Sequence, residues 1–146
     1  MLVYMRGAGD IATGIALRLH RAGLAVVMAD IAEPTCIRRT VAFCEAIRLG
    51  EACVEGVCAR LAHDAAQARA IADTSDIAVV VDPAADMLGE MAPDVVVDAI
   101  LAKKNLGTTI DMGPGRHRRG ARFHRGRGLP CGGGDQARPL SRPGPL

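Results

Sequence analysis

The chain has 146 residues, enough for one domain with a real core, and 49% of them are apolar although only 2% are aromatic. Its formal charge of +2 joins two unlike pieces: residues 1–114 hold 10 Lys and Arg against 15 Asp and Glu, whereas residues 115–146 hold 8 Arg against the single acid Asp135. The longer piece is therefore acidic, and its surface is expected to repel nucleic acid mildly. The N-terminal apolar run is too short for a signal peptide and no run approaches the roughly 20 residues of a membrane span, so a soluble, cytoplasmic chain is expected.

Residues 2–5, LVYM, predict a strand that ends at RGAGD. Residues 11–22 carry Ile11, Ile15, Leu17 and Leu19 before Gly23, which predicts a helix and its stop. LAVVMA (24–29) predicts a second buried strand with Asp30 at its carboxyl end. In EPTCIRRTVAFCEAI, Ile37, Val41, Cys44 and Ile47 stand at helical spacing, and a second helix is expected there, ended by Gly50.

EACVEGVCARLA alternates around Glu55-Gly56 and predicts a small hairpin, and DAAQARAIADT resumes as helix. IAVVVDP (77–83) and DVVVDAI (94–100) are continuous Val/Ile runs, the pattern of strands covered on both faces. Strands alternating with helices predict an α/β fold: a Rossmann-like parallel sheet with helices on both faces over residues 1–112, incomplete at its C-terminal end. Beyond Met112 the apolar periodicity stops and arginine, glycine and proline dominate, so by composition residues 113–146 read as a disordered tail.

Gly7-Ala8-Gly9-Asp10-Ile11-Ala12 fits G-x-G-x-x-A between a strand and a helix. In that setting Gly7 permits the tight turn, Gly9 lets backbone approach a pyrophosphate, and Ala12 lets the helix pack closely. Phosphate would sit over the free N–H groups and positive dipole of the helix N-terminus, with Asp30 placed for a ribose hydroxyl. The same glycines also make a tight turn with no ligand. Asp10 likewise has two readings: a side-chain cap for the helix, or a carboxylate opposing the bound anion unless a metal or Arg6 compensates it.

Asp82-Pro83 and Asp98 end strands, the edge at which open α/β sheets bind ligands. Lys103, Lys104 and Asn105 follow, so cations and an amide can converge with Asp98 on a phosphate or an acidic ligand, or simply form a solvated face. Arg38 and Arg39 can reach a ligand from the second predicted helix. Cys36, Cys44, Cys53, Cys58 and Cys131 are odd in number and contain no C-x-x-C pair, so reduced cysteines are expected and no metal-ligand set is spelled out. His20 and His63 stand isolated, and no catalytic constellation is visible.

Three blocks, RGAGDIATGIALRLHRAG, EPTCIRRTVAFCEA and PDVVVDAILAKKNLGTTID, resemble the selenium-dependent molybdenum hydroxylase system proteins, the YqeB family, from about residue 2 to Met112. The resemblance implies a Rossmann-type fold similar to that of XdhC-type factors and a role in maturing molybdenum hydroxylases. A hydroxylase would then be the partner, and a dinucleotide or molybdenum cofactor nucleotide the ligand. It carries Gly7, Gly9, Asp10 and Gly14, then Pro34, Ile37, Arg38 and Arg39, then Asp98, Lys103, Asn105 and Gly107 as matching positions. Ala8 stands where the family often has Gly, and Asp30 where it often has another residue.

The family continues with an apolar segment and a GPGFTAG loop where this chain has Gly113 onward. Back-translating Gly113–Gly126 and shifting the frame by one base permits APVVIGVGPGFTAG, and the region after it permits DCHAVVETKRGHYLGR. Residues 113–146 are accordingly expected to be a frameshifted reading of the family's coding sequence. Arg116, Arg118, Arg119, Arg122, Arg125 and Arg127 then need no nucleic acid to explain them, and only Phe123 interleaves an aromatic ring among them. Two other functions share the glycine loop: an NAD(P)-dependent oxidoreductase, and a non-catalytic interaction protein with an empty loop.

Overall fold

The structure, a computed structural model, describes residues 1–102 and 105–113. The arginine-rich segment from Pro114 onward and Lys103 with Lys104 lie outside the described residues. Six strands, β1 (Leu2–Arg6), β2 (Ala25–Asp30), β3 (Glu51–Val54), β4 (Val57–Ala62), β5 (Ile77–Val81) and β6 (Val95–Asp98), form one sheet in the order β3-β4-β5-β2-β1-β6. All neighbours pair in parallel except β3, which returns antiparallel along β4. Helices α1 (Asp10–Arg21), α2 (Ala46–Leu49), α3 (Ala65–Ala72) and α4 (Leu88–Met91) connect them.

The Val/Ile runs are continuous because both faces of the sheet are covered. Met5, Val26, Met28, Ile77 and Val79 face a core shared with Ala12, Ala16 and Leu17 of α1 and with Phe43, while Tyr4, Val27, Ala29, Ala78 and Val80 face Ala65, Ala68 and Ala72 of α3 and Met91 of α4. Successive strand residues thus alternate between two apolar layers. Rossmann-like α/β architecture follows as expected, with the strand order reversing at β1. β2 and β5 lie to one side of β1 and β6 to the other, which puts a topological switch point at the carboxyl ends of β1 and β6.

Two sequence expectations are corrected. Residues 34–48 do not form one helix: short 3-10 turns at Arg39–Val41 and Phe43–Glu45 lead into the four-residue α2. Ile37, which the helical spacing placed on a buried face, is 97% exposed. Pro34 and the β-branched pair Thr40-Val41 work against a continuous helix, and the segment instead inserts Phe43 into the core.

The helix expected over residues 11–22 forms as α1; its buried face is Ala12, Thr13, Ala16 and Leu17, whereas Ile11 and Ile15 are 52% and 38% exposed. Small side chains let this helix lie close against the sheet.

Second, the cysteines are not all reduced, because Cys53 and Cys58 form a disulfide. No C-x-x-C motif announces it. The Glu55-Gly56 turn, with φ of 49° and 79°, sets a register in which the two cysteines stand directly opposite. Cys36 and Cys44 are free. Among the described residues no helix is long and apolar enough to cross a membrane.

Candidate functional site

The glycine loop joins β1 to α1 at the switch point. Gly7 has φ of +101°, and a Cβ there would stand 3.1 Å from the carbonyl oxygen of Ala99, just past β6. Both the backbone angle and the close approach require glycine. The Gly7 amide donates to Ala29 O at 2.6 Å, and that of Ala8 donates to the Asp30 carboxylate at 2.8 Å.

Ala8 is buried as the floor of the loop. Its carbonyl accepts from the Cys44 amide at 2.8 Å and from the Thr13 hydroxyl at 3.4 Å, and that hydroxyl accepts in turn from the Phe43 amide at 2.9 Å. Segment 42–44 is thereby sewn to the loop. Thr13 is the residue that the sequence reading missed; its one visible signal is a hydroxyl on a helix face otherwise made of Ala12, Ala16 and Leu17.

Gly9 is the N-cap of α1 and has no side chain to offer its free amides. A Cβ built on Gly9 meets nothing within 4 Å, so this glycine faces open space. Among the described residues the amides of Gly9, Asp10 and Ala12 have no hydrogen-bond acceptor. These unpaired donors and the positive end of the helix dipole make an anion-compatible helix terminus.

Asp10 is the first residue of α1 and Gly9 its N-cap, yet the Asp10 side chain still satisfies one first-turn amide. Its carboxylate accepts from the Ile11 amide at 2.9 Å and faces Arg38 at 3.9 Å. Arg6 cannot compensate Asp10, because its buried guanidinium donates to the Thr108 hydroxyl and to the carbonyls of Pro83 and Leu106. Arg38 is the cation beside Asp10, and an exposed pair at that distance is worth less than about 1 kcal/mol, so a competing anion can displace it. Beside α1 a cavity of about 390 Å³ opens between Asp10, Gly14, Arg38, Thr40, Cys53 and Glu55, within the size range of small-ligand pockets.

The structure therefore brings Gly7, Gly9, Asp10, Ala12, Gly14, Asp30 and Arg38 together around one loop and the first turns of one helix. Asp98 lies at the end of β6 opposite Arg6, with its carboxylate accepting from the Ile100 amide at 3.0 Å. Asn105 exchanges two 2.8 Å hydrogen bonds with the backbone of Thr108 and so closes its own loop. Asp82, at the end of β5, is buried and accepts from the Tyr4 hydroxyl at 2.6 Å and from the Asp86 and Met87 amides. These last groups order the carboxyl edge of the sheet.

A doubly wound, mostly parallel α/β sheet with a glycine loop at its switch point defines the class as Rossmann-like. No family model matches the chain, and no solved structure matches it. Over 113 residues, 77% of its length, the chain is 56% identical to the uncharacterized protein YqeB of Escherichia coli (strain K12), and it belongs to the YqeB family. It spans about one fifth, 21%, of the length of that relative.

Proposed function

We propose that this domain binds the phosphate of a nucleotide, or of a nucleotide-bearing cofactor such as a dinucleotide or a molybdenum cofactor nucleotide, over the N-terminus of α1. The observation that carries this reading is the contrast within one loop. Gly7 is turned into the fold, while Gly9 faces open space beside three amides without acceptors. Asp30 retains lone pairs for a ribose hydroxyl while its carboxylate holds the Ala8 amide. Arg38 leaves Asp10 for the incoming anion.

The accompanying biological role is that of an accessory or maturation factor for a molybdenum hydroxylase. This rests on the family resemblance, and binding without catalysis is what such a role requires of the loop.

The test is thermal unfolding of the chain with NAD⁺, NADP⁺, ATP, GTP and CTP in turn. At about 100 times Kd a specific ligand adds about 2.7 kcal/mol, a shift of several degrees for a domain of this size. Gly9→Val is expected to abolish the shift and leave the ligand-free transition in place, since its Cβ has room. An undiminished shift in Gly9→Val, or no shift with any of these in the parent chain, overturns the reading.

The same reading takes residues 113–146 as a shifted frame. Sequencing the coding DNA across codons 105–146 and onward checks it. An added or missing base near codon 112, followed by an open frame encoding GPGFTAG, is the expected result.

A further inference from the structure

The Glu55-Gly56 turn does more than reverse the chain. A two-residue turn with both φ values positive closes Val54 against Val57, so the next pair, Cys53 and Cys58, falls at a non-hydrogen-bonded position where side chains approach most closely. Their Cα atoms are 4.0 Å apart. Glu51 lies two residues before Cys53 on the same face of the outermost strand, with its carboxylate 3.7 Å from the Cys53 sulfur. One ligand atom from each of Glu51, Cys53 and Cys58 can be chosen so that all lie within 4.8 Å of one another, and two of the three residues are exposed.

The register of this hairpin is already set by its turn and by a ladder of four residue pairs. A cross-link closing so short a loop constrains the unfolded chain little compared with one spanning a domain. The sulfurs are therefore not needed to hold the strands together. Cys53 also borders the cavity beside α1, whereas the free Cys44 is buried.

We propose that in the reduced chain Cys53, Cys58 and Glu51 bind a thiophilic divalent cation of the zinc type, and that the disulfide is the closed state of the same site. Two thiolates and a carboxylate form an S₂O set of the kind that favours zinc over magnesium or calcium. A fourth, exchangeable position faces solvent. Three ligand charges against two on the cation leave one negative charge, and Arg60, 3.3 Å from Glu51, lies beside it.

Opening the site takes two electrons. One small-molecule thiolate attacks a cysteine sulfur and breaks the Cys53–Cys58 bond to give a mixed disulfide; a second thiolate displaces the cysteine from it. The thiols leave as their own disulfide, and both cysteines are reduced. Cation binding then releases the two thiol protons to solvent.

The experiment uses the full chain carrying Cys36→Ser, Cys44→Ser and Cys131→Ser, so that only the hairpin sulfurs remain, with circular dichroism confirming the parent fold. If the triple variant does not fold, the parent chain with and without Cys53→Ser replaces it. Reduced protein is titrated with Co²⁺ and then Zn²⁺ against a chromophoric chelator. Expected are a thiolate-to-cobalt charge-transfer band, displacement of cobalt by one equivalent of zinc, and no band in the oxidised protein. Cys58→Ser should lose the tight site, and Glu51→Gln should weaken it on the order of tenfold. A band that survives loss of Cys53 or Cys58, equal uptake by oxidised protein, or no cation uptake by the reduced hairpin overturns the proposal.

Discussion

The Asp30 carboxylate accepts the Ala8 amide hydrogen at 2.8 Å, so the last residue of β2 holds up the floor of the glycine loop. Ala8 is buried, and its N–H has no water to fall back on. Asp30→Ala is therefore expected to cost about 1–3 kcal/mol through an unpaired buried donor. Asp30→Asn retains an acceptor oxygen and should keep most of that stability. Denaturant unfolding of both variants checks this, and an Asp30→Ala midpoint equal to that of the parent would show that the contact does not support the loop.

Two glycines of one motif should respond in opposite ways. Gly7→Ala places a Cβ 3.1 Å from Ala99 O in a backbone region that alanine avoids, and is expected to lose about 1–3 kcal/mol. Gly9→Ala meets no neighbour and has φ of −67°, so it should unfold within about 0.5 kcal/mol of the parent. Equal losses at the two positions would contradict the loop geometry.

What could be read in the sequence divides along physical lines. The strands were legible because two covered faces demand unbroken apolar runs, and the hairpin because Glu55-Gly56 is a turn signal between alternating residues. The segment around Phe43 was not legible. Its spacing suggested a helix, but Ile37 points to solvent and the Phe43 amide bonds across the molecule to Thr13, a tertiary contact that local periodicity cannot encode. α1 was legible as a helix, and the close packing expected at Ala12 is seen at Ala12 and Ala16. Asp30 was visible as a strand-end acid, yet its bond to Ala8 needed the folded loop. Opposed Cys53 and Cys58 likewise required the register.

Alkaline pH should weaken the fold through two buried acids. Burial, then the hydrogen bond to Asp82, raises the Tyr4 phenol far above its ordinary value of 10.0. Burial, with Cys36 beside it, pushes the Cys44 thiol from 9.0 up to about 12. Both protons stay on in the native chain where the unfolded chain gives them up. The contribution is therefore complete below pH 9 and declines from there, through about 12 for Cys44 and from 10 upward for Tyr4. Tyr4→Phe should flatten the decline above pH 10 and cost about 1 kcal/mol at neutrality through the lost Asp82 contact. Unfolding free energies that stay level between pH 8 and 11 would refute the assignment.

Arg6 ties three parts of the chain together from the end of β1. It is 2% exposed, and its guanidinium donates to the Thr108 hydroxyl, to Pro83 O at 2.8 Å and to Leu106 O at 3.2 Å. Among the described residues it makes no ion pair. Arg6→Met fills much of the same space but leaves those acceptors without donors, so a loss on the order of 3 kcal/mol is expected. Arg6→Lys keeps the charge without the planar fork and should fall between parent and Met variant. Because the tie reaches residues 106 and 108, limited proteolysis should cut Arg6→Met between residues 101 and 108 faster than the parent. Unchanged cleavage alongside a large stability loss would mean that Arg6 supports the core and not that loop; unchanged stability would mean that its donors are replaced by water.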